Sequence, residues 1–231
     1  MKESLRKSGI DIIGDVPWGT HICQFYQTKE DFMDILVPYF KTGLENNEFS
    51  MWITSGPLEV EDAKESLRMT VPDIDSYLEK GQIQIIPYSR FYAEEDVFDS
   101  ERILNNLVEK LNQALASGYD GLRLSGNALW LENKDWSDFV NYEIKLDSAI
   151  GNYKMIALCT YSLDRFDATK IIEAAINHQF VLIKREGKLE QIKNSRREKE
   201  EERIQSLADI VESSNDAILT ISLDGTITSW N

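Results

Sequence analysis

The sequence predicts an α/β protein, a mostly parallel sheet with helices on both faces, extended by a charged linker helix and the opening of a further domain. Three observations carry this expectation. Six short runs rich in β-branched and aromatic residues alternate with stretches whose apolar residues recur every three or four positions. Strands separated by helices pair in parallel, because each crossover must travel back over the sheet before the next strand begins. The 231 residues are 42% hydrophobic, which suffices for one full core and a remnant but not for two mature domains. The composition then turns abruptly charged in the last fifth of the chain.

After a polar lead, residues 21–26 (HICQFY) read as the first strand and 49–54 (FSMWIT) as the second. Between them, residues 31–44 set Phe32, Ile35, Leu36, Tyr39, Phe40 and Leu44 at helical spacing, with Gly43 near the stop. Pro38 inside this stretch predicts a kink or a helix that starts late. Residues 82–87, 121–125, 154–161 and 180–184 continue the strands, and 59–68, 100–116, 136–150 and 168–177 the helices, giving a domain over residues 15–187.

Residues 193–203 (KNSRREKEEER) contain no apolar side chain, while Leu189, Ile192, Ile204, Leu207 and Val211 fall three and four apart where they cluster. That pattern predicts a charged helix over residues 188–211, either solvated alone or paired as a coiled coil that makes the module a homodimer. Beyond it, residues 217–222 and 226–230 flank Asp224-Gly225, a strong hairpin signal. Two strands lack a core of their own, so residues 212–231 read as the N-terminal fragment of another domain.

Charge and composition exclude several functions. Forty acidic residues against 25 basic ones give a net charge of −15, with no Lys/Arg block clear of acidic neighbours, so nucleic acid is not an expected partner. No apolar run approaches the roughly 20 residues of a membrane span, and no leader pattern opens the chain, which predicts a cytoplasmic protein. Cys23 and Cys159 lie far apart, each in an apolar strand-like run, which predicts reduced, buried thiols.

The strand, loop, helix, strand order of residues 21–54 is that of a nucleotide-binding start. Its loop, residues 27–31 (QTKED), has no glycine to let backbone N–H groups wrap a phosphate and carries two carboxylates instead. The strand at 121–125 runs into Ser125-Gly126-Asn127, with no acid to hold a metal-bound water. ATP hydrolysis is not expected, the segment is not expected to be an enzyme, and no cofactor is predicted. His21 and Cys23, two apart on a strand, share a face and have the spacing of a ligand pair. Cys159 and His178 complete a redox or metal site only if their strands are neighbours in register, and both histidines fall at strand starts. Buried cysteines and structural histidines are therefore the favoured expectation, with a Cys/His sensor as the alternative. Ligands of α/β sheets bind beyond the strand C-terminal ends. There the sequence places Tyr26, Thr54, Tyr88, Arg90, Asn127, Trp130, Tyr161 and Arg165, aromatic lining with polar fixers suited to a small, partly apolar ligand.

Several phrases together resemble the MEDS family, the methanogen/methylotroph sensory domain: GTHICQFY at 19–26, Gly43-Leu44, Met51-Trp52-Ile53-Thr54, GYDGLR at 118–123 with Trp130, Tyr142-Glu143, Leu158-Cys159-Thr160-Tyr161, and His178. The resemblance covers about residues 15–190. It implies a RecA-like fold that has lost its nucleotide motifs, and an input module of signalling proteins with small organic or one-carbon ligands. Residues 210–218 and 224–231 resemble the opening of a PAS domain, which implies the front half of a sensor histidine kinase with downstream PAS and kinase domains.

Overall fold

The structure, a computed structural model, describes residues 5–56, 58–92, 98–131, 136–192, 213, 219–222 and 226–230. The chain divides into two compact units, Met1–Ile192 and Lys193–Asn231.

A short antiparallel pair, β1 (Arg6–Lys7) and β2 (Asp15–Val16), opens the first unit. There follow β3 (Thr20–Tyr26), α1 (Lys29–Glu45), β4 (Phe49–Thr54), α2 (Val60–Arg68), α3 (Ile74–Glu79) and β5 (Ile83–Pro87). The unit continues with α4 (Ser100–Ala116), β6 (Leu122–Asn127), α5 (Trp136–Ile150), β7 (Met155–Ser162), α6 (Ala168–Ile176), β8 (Phe180–Arg185) and β9 (Lys188–Ile192). Seven strands form one sheet in the order β5-β4-β6-β7-β3-β8-β9, parallel throughout except for β9, which runs antiparallel to β8.

Side-chain alternation gives the sheet two buried faces, which is why β3, β4, β6 and β7 are buried at every position. Ile22, Trp52, Ile156, Leu158 and Leu182 pack under α1, α2 and α3. Cys23, Phe25, Met51, Leu124, Cys159, Tyr161 and Val181 pack under α4, α5 and α6. The centre of the sheet is therefore sealed above and below.

The predicted α/β class, the six parallel strands and their helices are all present. Four elements differ. The helix predicted from residue 31 begins at Lys29 and runs through Pro38, because Thr28 and Asp31 close a capping box: the Asp31 N–H donates to Thr28 Oγ1 (3.1 Å) and the Thr28 N–H to Asp31 Oδ2 (3.2 Å). The β1/β2 pair and α3 were not foreseen; at two and six residues they are too short to show a period.

The fourth difference corrects the linker. Residues 188–192 are not the start of a helix but the edge strand β9, so the sheet unit extends to Ile192 rather than 187. The Glu186-Gly187 turn, with φ of 50° and 75°, reverses the chain. Leu189 then meets the Ile22/Leu182 core by alternation, with a period of two that the helical spacing of Leu189 and Ile192 had masked. The rest of the linker expectation, residues 193–211, falls outside the described residues. In the second unit, β10 (Leu219–Ile221) and β11 (Ile227–Trp230) pair antiparallel with a bulge at Thr220/Ile221, as the hairpin signal predicted. The turn residues 223–225 lie outside the described set.

Candidate functional site

Strand β3 turns His21 and Cys23 toward the helices α4–α6. In the parallel ladder with β7, His21 stands opposite Ala157 and Cys23 opposite Cys159. Helix α5 crosses this face, and Glu143 and Asp147, four residues apart, share its inward stripe with Phe139, Tyr142 and Leu146. His178 enters between α6 and β8, where its Nδ1–H donates to the Ala174 carbonyl (2.7 Å).

These four elements bring His21, Glu143, Cys159 and His178 into one buried cluster whose nitrogen, oxygen and sulfur atoms all lie within 4.8 Å of one another. Glu143 Oε2 sits 3.3 Å from Nε2 of both histidines. His21 Nε2 lies 3.4 Å from Cys159 Sγ, and His21 Nδ1 lies 3.5 Å from Asp147 Oδ1. The two imidazole rings are 4.0 Å apart, tilted by 37°. The histidines have no solvent exposure and Glu143 is 2% exposed.

Charge in such a place must be balanced internally. Burial pushes the Glu143 carboxyl up, but the two imidazoles 3.3 Å away, His178 and then His21, outweigh it and hold it down at about 2. Burial lowers His21, yet Asp147 and Glu143 together raise it above its ordinary value. His178 is pulled below its ordinary value, by burial first and then by the charge of His21. The two imidazoles share one carboxylate, and their shifts run in opposite directions. Burial, and then Glu143, raise the Cys159 thiol well above its ordinary value, and Cys23 likewise.

Beside the cluster lies a cavity of about 10 Å³, room for one water or ion, lined by Tyr92, Asn127, Phe139, Glu143, Cys159 and Tyr161. The Tyr161 hydroxyl is buried with no hydrogen-bond partner among the described residues. Gly126 makes this packing possible, since a Cβ there would collide with the Tyr92 hydroxyl. The cavity lies under an aromatic wall in which Tyr88 and Tyr92 both stack on Trp130, at 5.7 and 5.3 Å.

The residues expected at the strand ends divide accordingly. Asn127 and Tyr161 line the cavity, while Tyr88 and Trp130 do not reach it and stack behind its lining residue Tyr92. Tyr26 is buried and accepts from Asn127 Nδ2 (2.9 Å), holding the Asn127 side chain in place. Thr54 is buried and donates to the Ile86 carbonyl (3.3 Å). Arg90 is exposed in an open groove between β5 and α4, and Arg165 is exposed on the loop after β7; neither joins the others. Of the alternative Cys/His set, His21, Cys159 and His178 converge and Cys23 stands outside the cluster. Glu143 and Asp147 were not singled out from the sequence. The signal was present for Glu143, a carboxylate inside the apolar stripe of residues 139, 142, 146 and 150.

A parallel sheet with this order, covered on both faces and lacking a glycine-lined first loop, defines a RecA-like fold without its phosphate cradle. Two solved structures are similar to this chain in fold: a KaiC-like protein from Pyrococcus horikoshii (TM-score 0.56, 16% identity, covering 82% of this chain and 86% of that one) and the flagellar accessory protein FlaH from Methanocaldococcus jannaschii (TM-score 0.52, 13% identity, 83% and 88%). Within that fold the chain belongs to the MEDS family, the MEthanogen/methylotroph, DcmR Sensory domain, which it matches over residues 20–179. All four residues of the buried cluster fall inside the match. The chain is 27% identical over 168 residues to the transcriptional repressor DcmR of Methylorubrum extorquens, an alignment covering 71% of this chain. It spans about 60% of that relative's length. The chain is thus a sensory regulatory module. No helix among the described residues is long and apolar enough to cross a membrane.

Proposed function

We propose that this module is the cytoplasmic input segment of a signal-transduction protein, and that it receives a very small organic molecule at the C-terminal ends of β6 and β7. The observation that carries the reading is the cavity of about 10 Å³ lined by Asn127, Tyr161 and Tyr92, the last of these held in the stack with Trp130 and Tyr88. A one-carbon molecule is larger than that space, so it enters only if the wall moves. Binding and conformational change are then one event, which gives the two states different affinities as signalling requires. The route outward is short. His178, in the adjoining cluster, lies two residues before β8, β8 pairs with β9, and β9 ends at Ile192, the last residue before the second unit.

Downstream, the likeness of residues 210–231 to the opening of a PAS domain supports a sensor histidine kinase as the whole protein. The relative named a transcriptional repressor supports a competing, DNA-directed output for the whole protein. The net charge of −15 argues that the sensory segment itself is not what touches DNA.

Titrating the protein with one- to three-carbon alcohols, aldehydes and halides, followed by tryptophan fluorescence and ligand-observed NMR, tests the input. Saturable binding that weakens in Asn127→Ala and Tyr161→Phe is expected. No saturable binding across the panel, or binding indifferent to both substitutions, overturns the proposal. For the output, phosphate transfer to a histidine of the full-length protein is expected; specific DNA binding without it favours the repressor reading.

A further inference from the structure

We propose that His21, Glu143, Cys159 and His178 form a binding site for one divalent transition-metal ion of the zinc class. The inference goes beyond the ligand reading and holds whether or not an organic molecule binds.

The donor set comes first. Two imidazoles, one carboxylate and one thiol make the mixed nitrogen, oxygen and sulfur environment that borderline ions such as Zn²⁺ prefer over Ca²⁺ or Mg²⁺. Geometry agrees. Metal–ligand bonds of about 2.0–2.3 Å in a tetrahedron place the ligand atoms about 3.3–3.6 Å from one another. Three of the six ligand-atom pairs already stand at this spacing, 3.3 Å between Glu143 Oε2 and each histidine Nε2 and 3.4 Å between His21 Nε2 and Cys159 Sγ, and all six lie within 4.8 Å, a separation that small side-chain shifts close around an ion.

Hydrogen bonding gives an independent reason. The Ala174 carbonyl only accepts, so His178 must carry a hydrogen on Nδ1. Its Nε2 lone pair then faces a carboxylate oxygen, acceptor against acceptor. Neither Glu143 oxygen nor His178 Nε2 has a hydrogen-bond partner among the described residues. Polar atoms this deeply buried are normally satisfied, and a cation between them satisfies all three.

The outer shell completes the pattern. Histidines on a metal hold their second nitrogen against a carboxylate or backbone carbonyl. His178 uses the Ala174 carbonyl for this, and His21 Nδ1 lies beside Asp147. Charge also closes. When the ion enters, Cys159 binds as thiolate and both histidines as neutral imidazoles, any proton on the thiol or on His21 leaving to solvent, so a 2+ ion meets two negative ligands and the ion with its four ligands sums to zero. Cys23, outside the cluster, takes no part.

The test uses the full chain, stripped with a chelator and titrated with Co²⁺ and then Zn²⁺. One equivalent of Co²⁺ should bind, giving the intense visible bands of a four-coordinate ion and a thiolate-to-cobalt charge-transfer band, and Zn²⁺ should displace it. Cys159→Ser should lose the charge-transfer band while Cys23→Ser keeps it. Asp147→Asn, which touches no metal, should weaken Zn²⁺ binding by about 10- to 100-fold. No stoichiometric Co²⁺ uptake by the unaltered chain overturns the inference, whatever the variants do. So does a charge-transfer band that survives Cys159→Ser or vanishes in Cys23→Ser. Metal uptake needs no organic ligand, so its failure is read separately from that of the sensing proposal.

Discussion

Arg123 holds a full positive charge at zero solvent exposure between Leu122 and Leu124 of β6. It is tolerated because four of its five N–H donors have acceptors: Nε on Glu48 Oε2, Nη1 on the Ser8 and Tyr39 carbonyls (2.6 and 3.1 Å) and Nη2 on the Lys7 carbonyl (2.7 Å). The guanidinium also lies over the Tyr39 ring, 4.7 Å from its centre, and Gly43 leaves the space for its stem. Arg123→Met strands the Glu48 carboxylate except for Arg6, which remains 3.1 Å away. Removing one partner of a buried pair costs about 3–5 kcal/mol, and the surviving Arg6 contact argues for the lower end, about 3. Urea unfolding at neutral pH measures it; a loss below about 1 kcal/mol would show that the pair is no net support. Adding Glu48→Leu to Arg123→Met should recover part of the loss. The sequence displays Arg123 only as a charge between two leucines. That it spans the sheet to the β1/β2 pair is a tertiary fact.

At the scale of elements, the N-terminus of α1 decides what the fold does not do. In its first turn the Asp31 N–H is turned to the Thr28 hydroxyl and the N–H of the cap residue Thr28 to the Asp31 carboxylate, which sets a negative charge where a nucleotide-binding loop would hold a phosphate. Mg-ATP should therefore produce neither turnover nor a thermal shift; turnover lost on altering residues 27–31 would contradict this. Asp31 also ties α1 to the sheet through Lys184, 3.1 Å away. Burial nudges its carboxyl up, but Lys184 and the Thr28 and Gln27 N–H groups outweigh this and hold it below its ordinary value. The sign follows from linkage. A lowered folded pKa contributes stability that is complete above the unfolded value near 3.9 and is lost as pH falls through the folded one. Asp31→Asn should be the less stable protein at pH 7, by under about 1 kcal/mol for a solvent-screened contact, and should converge with the parent below about pH 3. Thermal melts across that range compare the two.

For the molecule as a whole, β9 sets where the sensory unit ends. It covers the outer edge of β8 and brings Leu189 onto the core. A chain ending at Gly187 should expose that edge, melt lower and aggregate, whereas one ending at Ile192 should fold alone; size-exclusion chromatography and thermal melts distinguish them. The same strand shortens the seam that the sequence offers to a coiled-coil dimer. With Leu189 and Ile192 committed to the sheet, that expectation rests on Ile204, Leu207 and Val211, which lie outside the described residues, and solvated helical charge pairs add only about 0.3–0.5 kcal/mol each. Dimerisation should then be weak and concentration-dependent. Replacing Leu207 and Val211 with Asp should give a monomer in sedimentation while residues 5–192 stay folded; an unchanged dimer would place the interface elsewhere.

The sequence by itself determined the α/β class, the six parallel strands and their helices, the missing phosphate cradle and the hairpin at 219–230, because period, turn residues and capping signals are local properties of the chain. It determined the family too, since the motifs occur in order along it. Tertiary structure alone decided that Lys188–Ile192 is a strand, because an edge strand exists only where a neighbour offers unpaired backbone. It alone joined Glu143 to His21, Cys159 and His178, which lie on four elements and up to 157 positions apart in the sequence (178 − 21). It separated Arg90 and Arg165 from Asn127 and Tyr161 for the same reason. Which side chains meet is set by sheet order and register, and neither is written in the spacing along one chain.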